Sequence, residues 1–173
     1  MGTYRYSTNT EKEGLVKTVG IGLGISRKKG IEICNFIRGK SLERAKKIMD
    51  NVMEQKEAIP YRRFNKDTGH KPGIGPGRYP IKTCKEIKVL LERLEASANQ
   101  KGLETKSLII SHISAQQGGK QWHYGRQRRR MQKRAHIEIV AQEARKQEAP
   151  KQKKPEKKAI EAKPEHKKTK ANK

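Results

Sequence analysis

Acidic side chains are scarce in this sequence. Only 18 Asp and Glu stand against 42 Lys and Arg in 173 residues, which leaves a formal net charge of +24 and a pI near 10.2. A surplus of that size repels itself unless a polyanion neutralises it, so an ordinary soluble domain living alone in water is excluded first. Aromatic residues make up only 5% and hydrophobic residues 32%, enough for one modest core and poor material for an enzyme with a deep pocket. No run approaches the ~18 apolar residues of a membrane span. Of RNA, DNA and an anionic membrane, nucleic acid is therefore the expected polyanion. The opening MGTYRYSTNT lacks the apolar stretch of a secretory signal, and Tyr6 stands where a myristoylation signal at Gly2 wants Ser or Thr. Cysteines number two, Cys34 and Cys84, and read as buried reduced thiols. The five histidines, at 70, 112, 123, 136 and 166, show no ligand spacing, and there is no CxxC, carboxylate pair or nucleophile triad. The expectation is a protein with no metal, no cofactor and no catalysis of its own.

What is present reads as one α+β domain. Lys17 to Ile25 alternates with period two, which predicts a strand with Val19, Ile21, Leu23 and Ile25 on one face and Gly20, Gly22 and Gly24 on the other. Its GxGxG run is not a dinucleotide fingerprint, because the third glycine is missing. Gly39-Lys40-Ser41 is likewise not a P-loop end, because Cys34 stands where that loop needs its first glycine. Ser26 suits a helix start, with Ile33, Cys34 and Ile37 following and Gly39 as the stop. Ser41 starts a second helix with Leu42, Ala45, Ile48, Met49 and Val52 on one stripe. A third carries Cys84, Ile87, Leu90, Leu91, Leu94 and Ala98 and ends at Gly102.

Between the second and third helices, residues 58–80 read as a long irregular loop. Its cations interleave with Tyr61, Phe64 and Tyr79, a mixture that suits RNA, with phosphates taking the charge and bases or riboses the rings. After the third helix, strands are expected at 107–115 and 135–141. The polar, basic stretch between them predicts a hairpin arm over about 114–136, with no apolar face to pack on the domain and a need for anionic surroundings. His112 and His136, on those strands, are read as facing each other or RNA, in a structural role. Trp122 is equally a core residue or a stacking platform at the arm tip. Residues 143–173 carry 11 Lys, 1 Arg and 5 Glu, with Ile160 as the sole large apolar residue, and read as a flexible basic tail outside a domain of residues 1–142.

The order of these pieces resembles the universal large-subunit ribosomal protein twenty-two family, called seventeen in eukaryotes, in its archaeal and eukaryotic form. Ile25-Ser26-Arg27-Lys28-Lys29 and Ile37-Arg38-Gly39-Lys40-Ser41 resemble the start and end of that family's first helix. Ile59-Pro60-Tyr61-Arg62-Arg63-Phe64-Asn65, Gly69-His70 and Gly77-Arg78-Tyr79-Pro80 look like its archaeal and eukaryotic insertion. Glu95 to Gly102 and Ile109 to Ile113 continue the likeness, which covers roughly residues 17–142. The arm departs from the family pattern: only Gly125-Arg126 of its usual Pro-Arg-Ala-x-Gly-Arg-Ala survives, followed by Arg128-Arg129-Arg130.

The resemblance implies a small antiparallel sheet of about three strands packed on three helices, with a protruding β-hairpin. It also implies residence in the large subunit of cytoplasmic ribosomes, as a single copy near the outer end of the peptide exit tunnel, with the arm lining the tunnel wall. The implied partners are large-subunit rRNA, neighbouring ribosomal proteins and the nascent polypeptide, with no membrane. Contact with rRNA is expected from Arg27, Lys28, Lys29, Arg62, Arg63, His70, Lys71, Arg78, Tyr79, Lys82, Lys120, Arg126, Arg128, Arg129, Arg130, Lys133 and Arg134. Gln121, Trp122, His123, Tyr124 and Gly125 are the expected tunnel-lining residues. A chromatin-like DNA-binding protein is the alternative, disfavoured because no helix carries a basic recognition face. An RNA-modifying enzyme is weaker still, for want of any cofactor motif or acid/base pair.

Overall fold

The computed structural model of the protein describes residues 4–9 and 14–143. Apolar spacing decides the helices. α1 (Arg27–Ile37) buries Ile33, Cys34 and Ile37, and α2 (Leu42–Met53) buries Leu42, Ala45, Ile48, Met49 and Val52. After an insertion, α3 (Ile81–Gln100) buries Cys84, Ile87, Leu90, Leu91, Leu94 and Ala98. These are the stripes read from the sequence, because residues three and four apart share a helix face. Ser26 and Ser41 hold the N-cap positions with extended backbone, but neither side chain makes a capping hydrogen bond.

The main sheet pairs β1 (Leu15–Leu23), β6 (Ala135–Glu143) and β5 (Leu108–Gln117), antiparallel, with β6 in the centre. One face packs on the helices: α1 lies on β5 and α3 on β1, while α2 packs on α3. Ala135, Ile137, Ile139 and Ala141 of β6 join Ile110 and Ile113 of β5 in that core. Truncating a fully buried residue such as Leu91 to Ala would cost about 2–5 kcal/mol.

The first strand differs from expectation. Its core-facing residues are Val16, Thr18 and Gly20, whereas Ile21 is 62% exposed and Val19 half-buried. The glycine face is the packed one because α3 comes so close: a Cβ at Gly20 would stand 2.9 Å from methyl carbons of both Leu23 and Leu90. The register then slips between Gly20 and Leu23, where Gly22 adopts φ +67°, and the irregularity returns Ile25 to the core.

Residues 58–80 are not structureless. β2 (Ile59–Pro60), β4 (Gly75–Arg78) and β3 (His70–Lys71) make a second small antiparallel sheet, ordered β2-β4-β3. Tyr61 is buried and Phe64 packs partly against the core, so these two rings pin the insertion to the domain instead of facing RNA.

The sheet face away from the helices holds the fully buried Glu138. The segment 4–9 lies over it. Ser7 donates its hydroxyl to Oε1 and its N–H to Oε2 (3.2 Å), Ser114 donates its hydroxyl (2.7 Å), and His112 Nε2 lies 3.0 Å from Oε1. Burial alone would raise the pKa of Glu138. The hydrogen bonds from Ser7, His112 and Ser114 outweigh it and bring the pKa down to about 2. Among the described residues no helix is long and apolar enough to cross a membrane. The basic segment read as a tail lies outside the described residues except for Glu143, which closes β6 and accepts a hydrogen bond from Glu104 N–H (2.8 Å).

Candidate nucleic-acid interface

The arm leaves the main sheet where β5 and β6 run past the helices. Their pairing continues to Gln117 and Ala135, and Gly118 N–H then bonds Arg134 O (3.0 Å). This places the base of the arm beside the N-terminus of α1. The two elements enclose a cleft of ≈ 400 Å³ lined by Arg27 and Lys28 of α1 and by Lys120, Lys133 and Arg134 of the arm. Positions a hundred residues apart in sequence thus present five cations to one hollow. Lys82, at the start of α3, and Arg134 approach the same point on β1: a Cβ at Gly24 would lie 3.9 Å from Lys82 Nζ and from Arg134 Nη1. Arg134 is fixed by donating to Gly22 O (3.1 Å) and to Gln132 Oε1 (2.9 Å).

The insertion supplies the next stretch. Glu32, buried on α1, accepts hydrogen bonds from three consecutive backbone N–H groups: Arg62 (3.2 Å), Arg63 (2.9 Å) and Phe64 (2.7 Å). The carboxylate thereby orders the turn from which Arg62 and Arg63 project into solvent. Lys28 and Arg63 both lie 5.5 Å from the Phe64 ring centroid, which joins the insertion to the cleft side of α1. Arg78 is tied down by a bond to Asp67 O (2.7 Å) and lies 5.9 Å from the Tyr61 ring. The Tyr61 hydroxyl is enclosed without a hydrogen-bond partner, and burial pushes its pKa up to about 12. Lys71 turns onto Tyr79 (5.3 Å) and points to a different hollow, while His70 is exposed on the edge strand β3.

The arm proper keeps a hairpin course. Gln132 N–H bonds Gln121 O (2.7 Å), Trp122 pairs with Met131, and His123 N–H bonds Arg130 O (2.9 Å). A short 3-10 turn, Gly125–Gln127, closes it. Arg126, Arg128, Arg129 and Arg130 line an open concavity of ≈ 810 Å³ at this end. No Asp or Glu occurs in residues 118–134, so like charges repel there until an anion intervenes. Trp122 is 58% and Tyr124 88% exposed, which removes the core reading of Trp122.

None of the 17 cationic and aromatic positions expected to touch RNA is buried. Lys71, Tyr79 and Arg134 are half-buried, and Lys29, like the remaining positions, is exposed. The two strand histidines do not meet. His112 engages Glu138, and His136 Nδ1 accepts the Gly22 N–H (3.0 Å). The sequence reading missed Glu32 and Glu138 as organising carboxylates, although an acid between two isoleucines (Ile31-Glu32-Ile33 and Ile137-Glu138-Ile139) is a visible signal. It also passed over Arg38, which donates to Ile113 O (2.9 Å). Among the described residues no group of three or more His, Cys, Asp or Glu could hold a metal ion. Burial raises both thiols to about 12, as suits inert cysteines.

A family model described as ribosomal protein L22p/L17e matches residues 19–142. Among similar curated proteins is the large ribosomal subunit protein uL22 of Thermofilum pendens. It is 38% identical over 149 residues, covering 83% of this chain and 99% of that protein. The uL22 protein of Archaeoglobus fulgidus is 38% identical over 147 residues, covering 80% and 94%. That of Methanocaldococcus jannaschii is 34% identical over 151 residues, covering 83% and 97%.

Proposed function

This chain belongs to the ribosomal protein L22p/L17e family and is a structural component of the large ribosomal subunit, not an enzyme. From that premise we propose that it binds large-subunit rRNA through the cleft at the base of the arm, through the insertion and through the arginines of the arm. The arm lines the nascent-peptide exit tunnel, with Gln121, Trp122, His123, Tyr124 and Gly125 turned to the passing chain. It works in cytoplasmic ribosomes as one copy per subunit. The observation that carries the proposal is the convergence of Arg27, Lys28, Lys120, Lys133 and Arg134 on one hollow that continues into an arm without acids.

Such a surface fits a curved phosphate backbone. Guanidinium forks take phosphate oxygens in pairs, and ammonium groups act as point charges beside them. A double strand offers such a protein mainly shape and backbone, so sequence plays a small part. The charge also explains how the arm is held, since phosphates on several sides would relieve the repulsion within residues 118–134.

Sedimentation of a native lysate through sucrose gradients at moderate and high salt tests the proposal. Co-migration with large subunits and whole ribosomes, resistant to a moderate salt wash, is the expected result. Migration with DNA alone, or recovery free at the top of the gradient, would overturn it.

A further inference from the structure

Beside Arg62 the insertion carries a surface of another kind. A hollow of ≈ 360 Å³ opens between α1 and the small sheet, lined by Phe36, Ala58, Pro60, Pro72, Ile74 and Tyr79 together with the charged Lys56, Glu57 and Lys71. Ile74 sits at the β3–β4 turn and is 41% exposed, one of the few large apolar side chains of the domain left in water. In a chain with so few hydrophobic residues, this exposed apolar cluster is a candidate contact surface.

The walls are ill-suited to RNA. Phe36 packs against the core and carries Lys40 over its ring at 4.5 Å, so it offers a base no stacking platform. Tyr79 is likewise half-buried under Lys71 at 5.3 Å. Prolines and a branched aliphatic side chain give a phosphate nothing to bind. They do give an apolar side chain a place to sit, with prolines that lose little freedom on ordering.

Charge narrows the occupant further. Lys40 and Lys71 have no ion-pair partner among the described residues, Lys56 pairs with the exposed Glu54 at 2.6 Å, and Glu57, the one acid lining the hollow, accepts a hydrogen bond from Asn51 Nδ2 (3.3 Å), so cations outnumber acids there. The neighbouring hollow, of ≈ 290 Å³, shares Phe36 and Pro60 and adds Arg38, Lys40 and Arg62. We propose that this groove docks an extended segment of a neighbouring ribosomal protein, one carrying an aromatic or branched apolar side chain next to acidic residues. The apolar side chain fills the hollow against Ile74 and Phe36, and the acids meet Lys40 and Lys71. The inference rests on the large-subunit residence proposed above, and it withdraws Lys71 and Tyr79 from the rRNA surface.

A photoreactive benzoylphenylalanine placed at Ile74 of the full chain, in assembled large subunits, tests it. A second probe at Arg129 reports the rRNA surface separately. The expected adduct at position 74 is a protein peptide with an apolar residue beside Asp or Glu, while position 129 cross-links rRNA. An adduct to rRNA at position 74, or no protein adduct there, overturns the groove even when position 129 behaves as expected. Failure at position 129 alone counts against the rRNA surface instead. As a second readout, Ile74→Asp should lower retention of the cross-linked protein in salt-washed subunits by roughly tenfold, as loss of an interface anchor does. The variant chain itself should stay at normal stoichiometry. Unchanged retention would also overturn the proposal.

Discussion

A carboxylate enclosed by a sheet must either give up its charge or be supplied with donors. Glu138 is supplied, by Ser7, Ser114 and His112, and its folded pKa of about 2 lies below the ordinary glutamate value of 4.5. Its contribution to stability is therefore complete above pH ~4.5 and is lost as the pH falls toward 2, about 3 kcal/mol in all. Glu138→Gln should lower stability at neutral pH by about 2–3 kcal/mol and flatten the decline between pH 4.5 and 2. Urea unfolding of the full chain across that range checks both. Parallel acid limbs in the two proteins would show that another group titrates there. The isoleucines on both sides of this carboxylate and of Glu32 signal a buried acid, but the groups that satisfy it were not legible. Period-two and helical patterns reward apolar residues, and a buried charge is satisfied by partners distant in sequence, such as Ser7 for Glu138.

At the scale of elements, the buried stripes of the helices were legible because residues three and four apart share a face. The first strand was not. Its alternation was read correctly as a strand, but Val19 and Ile21 turn away from the core that Leu23 and Ile25 reach, since Gly20 packs under Leu90 and a sequence gives a glycine no hydropathy to declare. The insertion was misread as irregular because its strands, of two to four residues, are held by Glu32 and by Tyr61 instead of by a pattern of their own. Glu32→Ala should leave the amides of Arg62, Arg63 and Phe64 without their acceptor, at about 1–3 kcal/mol. Hydrogen exchange should accelerate at those three amides with little change in α3. The arm carries a separate expectation. Replacing Arg128, Arg129 and Arg130 together with Ala should leave the domain folded but impair subunit assembly. The salt slope of rRNA binding should shrink by about 2–3. A normal yield of subunits with the arm in place would refute it.

For the molecule as a whole, charge and apolarity occupy different territories. The cleft, the insertion turn and the arm carry clustered cations, and most large apolar residues lie between sheet and helices, with Ile74 and the arm's Trp122 and Tyr124 among the exceptions. Composition alone announced a partner of opposite sign. It could not announce the cleft, which exists only once residues 27–28 and 133–134 are folded together. Removing residues 144–173 should leave cooperative unfolding and its midpoint essentially unchanged, because the described residues 4–9 and 14–143 already hold a closed core and the removed segment has Ile160 as its sole large apolar residue. Differential scanning calorimetry of the shortened chain checks this, and a broadened transition would contradict it. The arm also behaves mechanically as a pointer. From Gly118 to Gly125 it reaches at most about 25 Å, so an angular error of about 10° at its root displaces the tip by roughly 4 Å. Its bearing is set where Gly22 is gripped from both sides, its N–H by His136 and its carbonyl by Arg134. Aim at the far end is thus decided at a glycine in the first strand, and a substitution there would misdirect residues it never touches.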